Sequence, residues 1–254
     1  MNKEVKTSTF DIPCSLFFLS SSYLFGKIST MNPILFVLLL LTNCCAWSQK
    51  CSDYYYLQNN KTIEMTIKNK KGNQTGRVVY VISNLSNKGN STRATVNSEM
   101  FDKNGKSISK ASNDVQCENG TLLMDMKMLI PSAQQEQMGS MSASGTVSYI
   151  DYPVSMKEGD ALKDASFAAD FTSASGLKGN ISMNMTNRKV VGKETVTTPA
   201  GTWECFKITY HTKMIFKMGI GIPMNADVTE WYAPGFGVVK TESGGGTTEI
   251  TSIK

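Results

Sequence analysis

After about position 60, apolar and polar residues alternate with the two-residue period of strands rather than the 3.6-residue period of helices. Residues 62–68 read Thr-Ile-Glu-Met-Thr-Ile-Lys, with Ile63, Met65 and Ile67 on one side. Such a segment is expected to bury one face and wet the other. Residues 77–82 form a continuous apolar run, Val-Val-Tyr-Val-Ile after Arg77, which predicts a strand covered on both faces. Asn87-Lys-Gly-Asn90 then turns the chain, and residues 91–101 return it with Ala94, Val96, Ser98 and Met100 on one side. Lys103-Asn-Gly-Lys106 is a further hairpin signal, leading to a strand at 107–116.

The pattern changes at Thr121. A strand begins at Leu122, but Pro131 and the helix formers up to Met138 predict one short helix, with proline at its first position. Residues 140–144 read as a loop, 146–150 as a strand, and 152–162 as an extended connection crossing an end of the sheet. Strands are expected at 167–171 and 181–191, and a last one at 247–253 after Gly244-Gly-Gly246. Between them lie two strand-turn-strand units, one around Pro199-Ala-Gly201 and one around Pro234-Gly235, where proline presets φ and glycine supplies φ > 0. Roughly ten strands in one meander, with no solenoid or propeller period, predict an all-β fold with one short helix. The expected form is a strongly curved antiparallel sheet, a half-open to closed β-barrel.

The front of the chain does not share this pattern. The apolar run at 31–42 is preceded by Lys27 and followed by Ala46-Trp47-Ser48, whose small residues suit a signal peptidase. It falls short of the ~20 apolar residues of a spanning helix. We therefore read 1–30 as an upstream extension, 31–48 as a signal peptide and 49–254 as a single exported domain with no transmembrane segment. Periplasmic, outer-membrane-associated and secreted locations all follow from that reading. Leu41-Thr42-Asn43-Cys44 is close to a lipobox, which would make Cys44 a lipid anchor, but Asn43 stands where a small residue is wanted.

Three cysteines remain after position 48, so at most one internal bridge forms. Cys51 and Cys117 lie in polar, turn-like surroundings and are expected to pair, whereas Cys205 lies within a strong strand as a buried thiol. The whole chain carries a formal net charge of +5, and removing residues 1–48 takes away three lysines and two acids, leaving +4. The basic residues are mostly scattered lysines without interleaved aromatics, which argues against nucleic acid as a partner.

Catalytic grammar is sparse. His211 is the only histidine, and no nucleophile motif accompanies it. Met218-Gly-Ile-Gly-Ile-Pro223 lacks the third glycine and the helix of a dinucleotide loop. A carboxylate-dependent hydrolase would have to draw on Asp125, Asp160, Glu194, Glu204, Asp227 and Glu230. Methionine is in excess: Met124, Met126 and Met128, like Met183 and Met185, are spaced to share one face of a strand. Thioethers suit Cu(I), but with no cysteine or histidine beside them the reading is of core filling, with neither metal nor other cofactor. A methionine-lined concave face is also adaptable enough to bind an apolar ligand or an envelope protein.

The stretches Gly192-Lys-Glu-Thr-Val-Thr-Thr-Pro-Ala-Gly-Thr-Trp-Glu-Cys-Phe-Lys-Ile-Thr-Tyr210 and Glu230-Trp-Tyr-Ala-Pro-Gly-Phe-Gly-Val-Val-Lys-Thr-Glu242 resemble a family of exported Bacteroidota-type proteins, labelled TapB-like or as a domain of unknown function. The resemblance covers about the last quarter of the chain. It implies an envelope or secreted location and a curved antiparallel β architecture, with no established activity and no catalytic residues to carry over.

Overall fold

A computed structural model of the chain describes residues 51–130, 134, 148–173 and 175–254. Ser48–Lys254 forms one compact unit, which holds the strands, the disulfide and the core of the described residues. The helix expected at 131–138, Gln134 apart, lies outside the described residues, as do the signal segment and Cys44.

Twelve strands make one antiparallel sheet. In chain order they are β1 (Thr62–Asn69), β2 (Gln74–Lys88), β3 (Ser91–Asp102), β4 (Ser107–Glu118), β5 (Thr121–Asp125), β6 (Tyr149–Tyr152), β7 (Ala165–Thr172), β8 (Lys178–Thr198), β9 (Gly201–Met218), β10 (Ile220–Ala233), β11 (Gly237–Ser243) and β12 (Gly246–Ile253). Their order across the sheet is β6-β5-β4-β3-β2-β1-β12-β11-β10-β9-β8-β7. The meander thus runs outward from β1 to one edge, crosses to the other edge between β6 and β7, and returns, so that the first and last strands pair in the middle. The result is the nearly closed, barrel-like sheet that the strand pattern predicts.

Side chains explain the tight turns. Asn69 Oδ1 accepts from the backbone N–H of Lys71 and Asn73 at 2.9 and 3.1 Å. Asp102 Oδ1 does the same for Asn104 and Lys106 at 2.8 and 2.9 Å. These are local turns that Asn and Asp favour. Inward positions carry Ile63, Ile82, Val96, Val115, Ile150, Ile181, Ile208 and Ile250, all fully buried.

Two expectations need correction. The run at 77–82 is covered on one face only: Val78, Tyr80 and Ile82 are buried, while Val79 is half-buried and Val81 is 43% exposed. Among the described residues no second layer packs on the outer face of this strand. The second concerns β9 and β10, which run on into the Gly- and Pro-containing stretch around Met218 and Pro223, where no strand was expected. Gly219, at φ 82, makes the turn, and Pro223 pairs opposite Ile215.

One end of the barrel is filled by the segment before β1. Tyr55 N donates to Gly235 O at 3.1 Å, Tyr55 Oη to Lys254 O at 2.6 Å, and Tyr54 Oη to Gly120 O at 2.9 Å. Tyr56 and Leu57 are buried, and Phe236 from the Pro234-Gly235 turn packs on Tyr55, Tyr56 and Trp203 with ring centroids 5.3, 6.1 and 5.7 Å apart. Cys51 is joined to Cys117 on β4, which ties this plug to the sheet, and Cys205 is a buried free thiol.

Candidate functional site

Two places depart from ordinary sheet chemistry. One is a polar cluster inside the barrel, and the other is an uncovered apolar end.

The cluster is built where the two sheet edges meet. A bulge at Asn187, with φ 58, shifts the register of β8 between Thr186 and Lys189 and turns Arg188 inward. The Arg188 side chain is completely buried. Its Nη1 donates to Asp151 Oδ1 at 2.9 Å and to Lys163 O at 2.8 Å, and its Nη2 to Asp151 O at 2.8 Å. β6 and the segment leading into β7 are thereby fastened to β8 by one guanidinium. Backbone bonds continue the seam, with Leu162 N donating to Arg188 O at 2.9 Å and Val190 N to Asp160 O at 2.9 Å.

Tyr152 reaches from β6 across the interior. Its ring stacks on Tyr232 of β10 with centroids 4.6 Å apart, and its Oη donates to Glu230 Oε2 at 3.3 Å. Tyr210 of β9 donates to the same oxygen at 3.1 Å, and Tyr232 Oη reaches Tyr54 Oη at 3.1 Å. Glu230 is 1% exposed. Burial raises its pKa, opposed by the positive Arg188 and by the two tyrosine hydrogen bonds. Burial, reinforced by the Glu230 carboxyl, pushes Tyr152 and Tyr210 well above the ordinary tyrosine range, so both stay protonated donors. Glu230 Oε1 and Arg188 Nε have no hydrogen-bond partner among the described residues. A general acid or base must reach a reacting group; Glu230 reaches buried tyrosines. The geometry is that of a clasp that closes the sheet.

The other carboxylates named from sequence are not brought to Glu230. Asp125 is buried but caps the turn after β5, accepting from Lys127 N at 3.0 Å and facing Lys127 Nζ at 3.0 Å. Asp160 accepts from Lys157 N at 2.7 Å within its loop. Glu204 accepts from Thr195 Oγ1. Glu194 accepts from Trp231 Nε1, and this bond, followed by Lys207, holds its carboxyl below the usual range. Asp227 pairs with His211 Nδ1 at 2.9 Å on the surface. Trp231 and Tyr232 point to opposite faces, and the outward Trp231 is flanked by Lys207 and Lys240, whose Nζ atoms lie 5.4 and 4.6 Å from its ring.

The methionines are core residues. Met124, Met126, Met183 and Met185 are buried, and Met128 is partly so. Met183 stands opposite Met214, and Met214 opposite Met224, on neighbouring strands. None lines either of two hollows on the surface of the described residues. One is an open groove of about 550 Å³ lined mainly by outward residues, including Val79, Val81, Glu99, Phe101 and Lys110. The other, about 440 Å³, lies by the turns of β1, β11 and β12.

The uncovered end is where β7–β8 and β9–β10 turn. Ile220 and Ile222 continue the inward-facing row of Val228, Glu230 and Tyr232, and Ile222 stands opposite Phe216. Yet Ile220 is 84% exposed, Ile222 61%, and Leu177 in the neighbouring turn 58%. Single exposed apolar residues are ordinary, but three at adjacent turns form a patch of the kind that marks a contact site. Sequence reasoning named Glu230 only as one of six candidate carboxylates, and it missed Arg188, the tyrosines around it and the exposed turns. Among the described residues no helix is long and apolar enough to cross a membrane.

Comparison with known proteins bears on the fold and the family. A crystal structure from Bacteroides fragilis, provisionally assigned as an exported protein with a YmcC-like fold, aligns at a TM-score of 0.64 and 21% identity, covering 78% of this chain and 96% of that one. A second, from Parabacteroides distasonis and provisionally assigned as a lipoprotein, aligns at 0.65 and 17% identity with the same coverage. No curated protein matches. The DUF3108-like family, a description without the TapB-like label, matches residues 58–253. On that match, which spans the whole sheet, this chain belongs to the DUF3108-like family.

Proposed function

We propose that this chain is an exported, non-enzymatic envelope domain that binds an apolar ligand or partner on its inner sheet face, at the end where that face runs out past the packed core. Export is supported by the signal-like run at 31–48, by the Cys51–Cys117 bridge, which belongs to oxidising compartments, and by structural neighbours assigned as exported protein and lipoprotein. Lipidation at Cys44 is the alternative form of the same location. The observation that carries the binding reading is the exposure of Leu177, Ile220 and Ile222 on adjoining turns. Tyrosines surround Glu230 and methionines fill the core, which leaves the turns as the apolar surface offered to a partner.

The test is a titration of the Ser48–Lys254 unit with the apolar fluorophore 1-N-phenylnaphthylamine. Saturable enhancement is expected, weakened about tenfold in an Ile220→Ser/Ile222→Ser double variant, which corresponds to ~1.4 kcal/mol. Equal affinity in both proteins would refute the reading.

A further inference from the structure

We infer that the β7–β8 and β9–β10 turns form a membrane-contact surface that inserts into the interface of a bilayer rich in anionic phospholipid. The inference rests on the apolar-contact reading above and names its partner. The apolar residues are concentrated at an apex. β9 and β10 pair as far as Met218 opposite Ile220, and Asn180 of β8 stands opposite Lys217, so Leu177 and Ile220 lie at the same end of the sheet.

Charge is ordered behind that apex. Residues 173–179 and 213–223 contain Lys178, Lys213 and Lys217 and no Asp or Glu. One acid, Asp170, stands level with this row, opposite Asn180, which in turn faces Lys217; it accepts from Asn180 Nδ2 at 3.0 Å, and the row stays net positive with three lysines to one acid. A net positive collar behind an apolar tip complements phosphate headgroups over acyl chains, and long lysine stems keep their charge in the headgroup layer while the tip is buried. A protein groove would not call for that layering.

The backbone also suits an interface. The arm reaches its turn with ladder hydrogen bonds formed, so its N–H and C=O groups need few partners from lipid. From the level of Ile222 and Phe216 to Gly219 is three residues, roughly 10 Å at the strand rise. That matches the roughly 5–10 Å to which interfacial elements sink.

The test is cosedimentation of the Ser48–Lys254 unit with vesicles of equimolar phosphatidylethanolamine and phosphatidylglycerol, against vesicles of phosphatidylcholine alone. Binding to the anionic vesicles is expected to be at least tenfold tighter. It should fall at least tenfold in Ile220→Ser/Ile222→Ser and weaken with added salt and in Lys178→Gln/Lys217→Gln. Circular dichroism of these variants should match the parent, because the substituted side chains are solvent-exposed. Failure to sediment, or equal binding by parent and isoleucine variant, overturns the inference. If that failure accompanies isoleucine-dependent fluorophore binding, the membrane inference falls and the apolar contact stands; if the fluorophore is also insensitive, both fall. A parent dimer in sedimentation velocity that the double variant dissolves would assign the surface to a second copy and likewise overturn the membrane inference.

Discussion

Replacing Arg188 by methionine tests whether side chains close the barrel. The change keeps a long apolar stem and removes the guanidinium that holds Asp151 O, Asp151 Oδ1 and Lys163 O. Losing a hydrogen bond to a charged group costs ~1.5–3 kcal/mol, and two part-buried bonds to backbone carbonyls are lost. The Asp151 side chain is 27% exposed, so water replaces most of that contact and it adds little. Against these losses, methionine removes the desolvation of a buried cation whose Nε has no hydrogen-bond partner among the described residues. The net expectation is a loss of about 2–4 kcal/mol, a large part of the ~5–15 kcal/mol of a typical domain. Urea unfolding of the Ser48–Lys254 unit, followed by fluorescence of Trp203 and Trp231, reads this as a lower midpoint at unchanged slope. Arg188→Lys should fall between parent and methionine variant, since an ammonium cannot span the three acceptors. A loss under about 1 kcal/mol for methionine, or a gain, would refute the clasp.

Three further outcomes follow from the same contacts. The pKa of Glu230 is raised on folding, so the stability it contributes is fully present below the ordinary carboxylate pKa and is lost as pH rises through the folded value. Glu230→Gln should therefore gain on the parent in urea unfolding as pH rises from about 4, the ordinary carboxylate value, and a difference that stays constant with pH would contradict the buried carboxyl. Gly237 sits at φ 130, and a Cβ there would lie 3.0 Å from Tyr56 Cε2. Gly237→Ala is expected to cost about 2–3 kcal/mol through strain and displacement of the plug, lowering the Tm by roughly 5–10 °C in a calorimeter. The Cys51–Cys117 bridge spans a separation of 66 residues, so Cys51→Ser or full reduction should lower unfolding free energy by about 4 kcal/mol in the chain-entropy view.

The regular parts of this fold are legible because each strand carries its own two-residue pattern and each turn its own Asn, Gly or Pro. β1, the turn at Lys103–Lys106 and the hairpins around Pro199 and Pro234 need no tertiary information. The Cys51–Cys117 pair was legible by elimination among three cysteines. What escaped depends on neighbours. Tyr54-Tyr55-Tyr56 has no period, although three consecutive aromatics a few residues after Cys51 were a signal that this segment packs on the core. Glu230 sits at an inward position between Val228 and Tyr232, a polar interruption of an apolar row that alternation alone exposes. Arg188 gave no such signal, because the bulge at Asn187 reverses which side of β8 it faces. Gly and Pro left residues 218–223 without a strand assignment, yet Ile220 and Ile222 keep the spacing of a strand face.

Whether the working surface is the turn-bearing end, the outer groove or the interior is answered most directly by hydrogen–deuterium exchange of the Ser48–Lys254 unit with and without the anionic vesicles. Slowed exchange confined to peptides covering 175–180 and 215–224 is the predicted result. Slowed exchange at 79–112, around the groove of Val79, Phe101 and Lys110, with the turns unchanged, would contradict it.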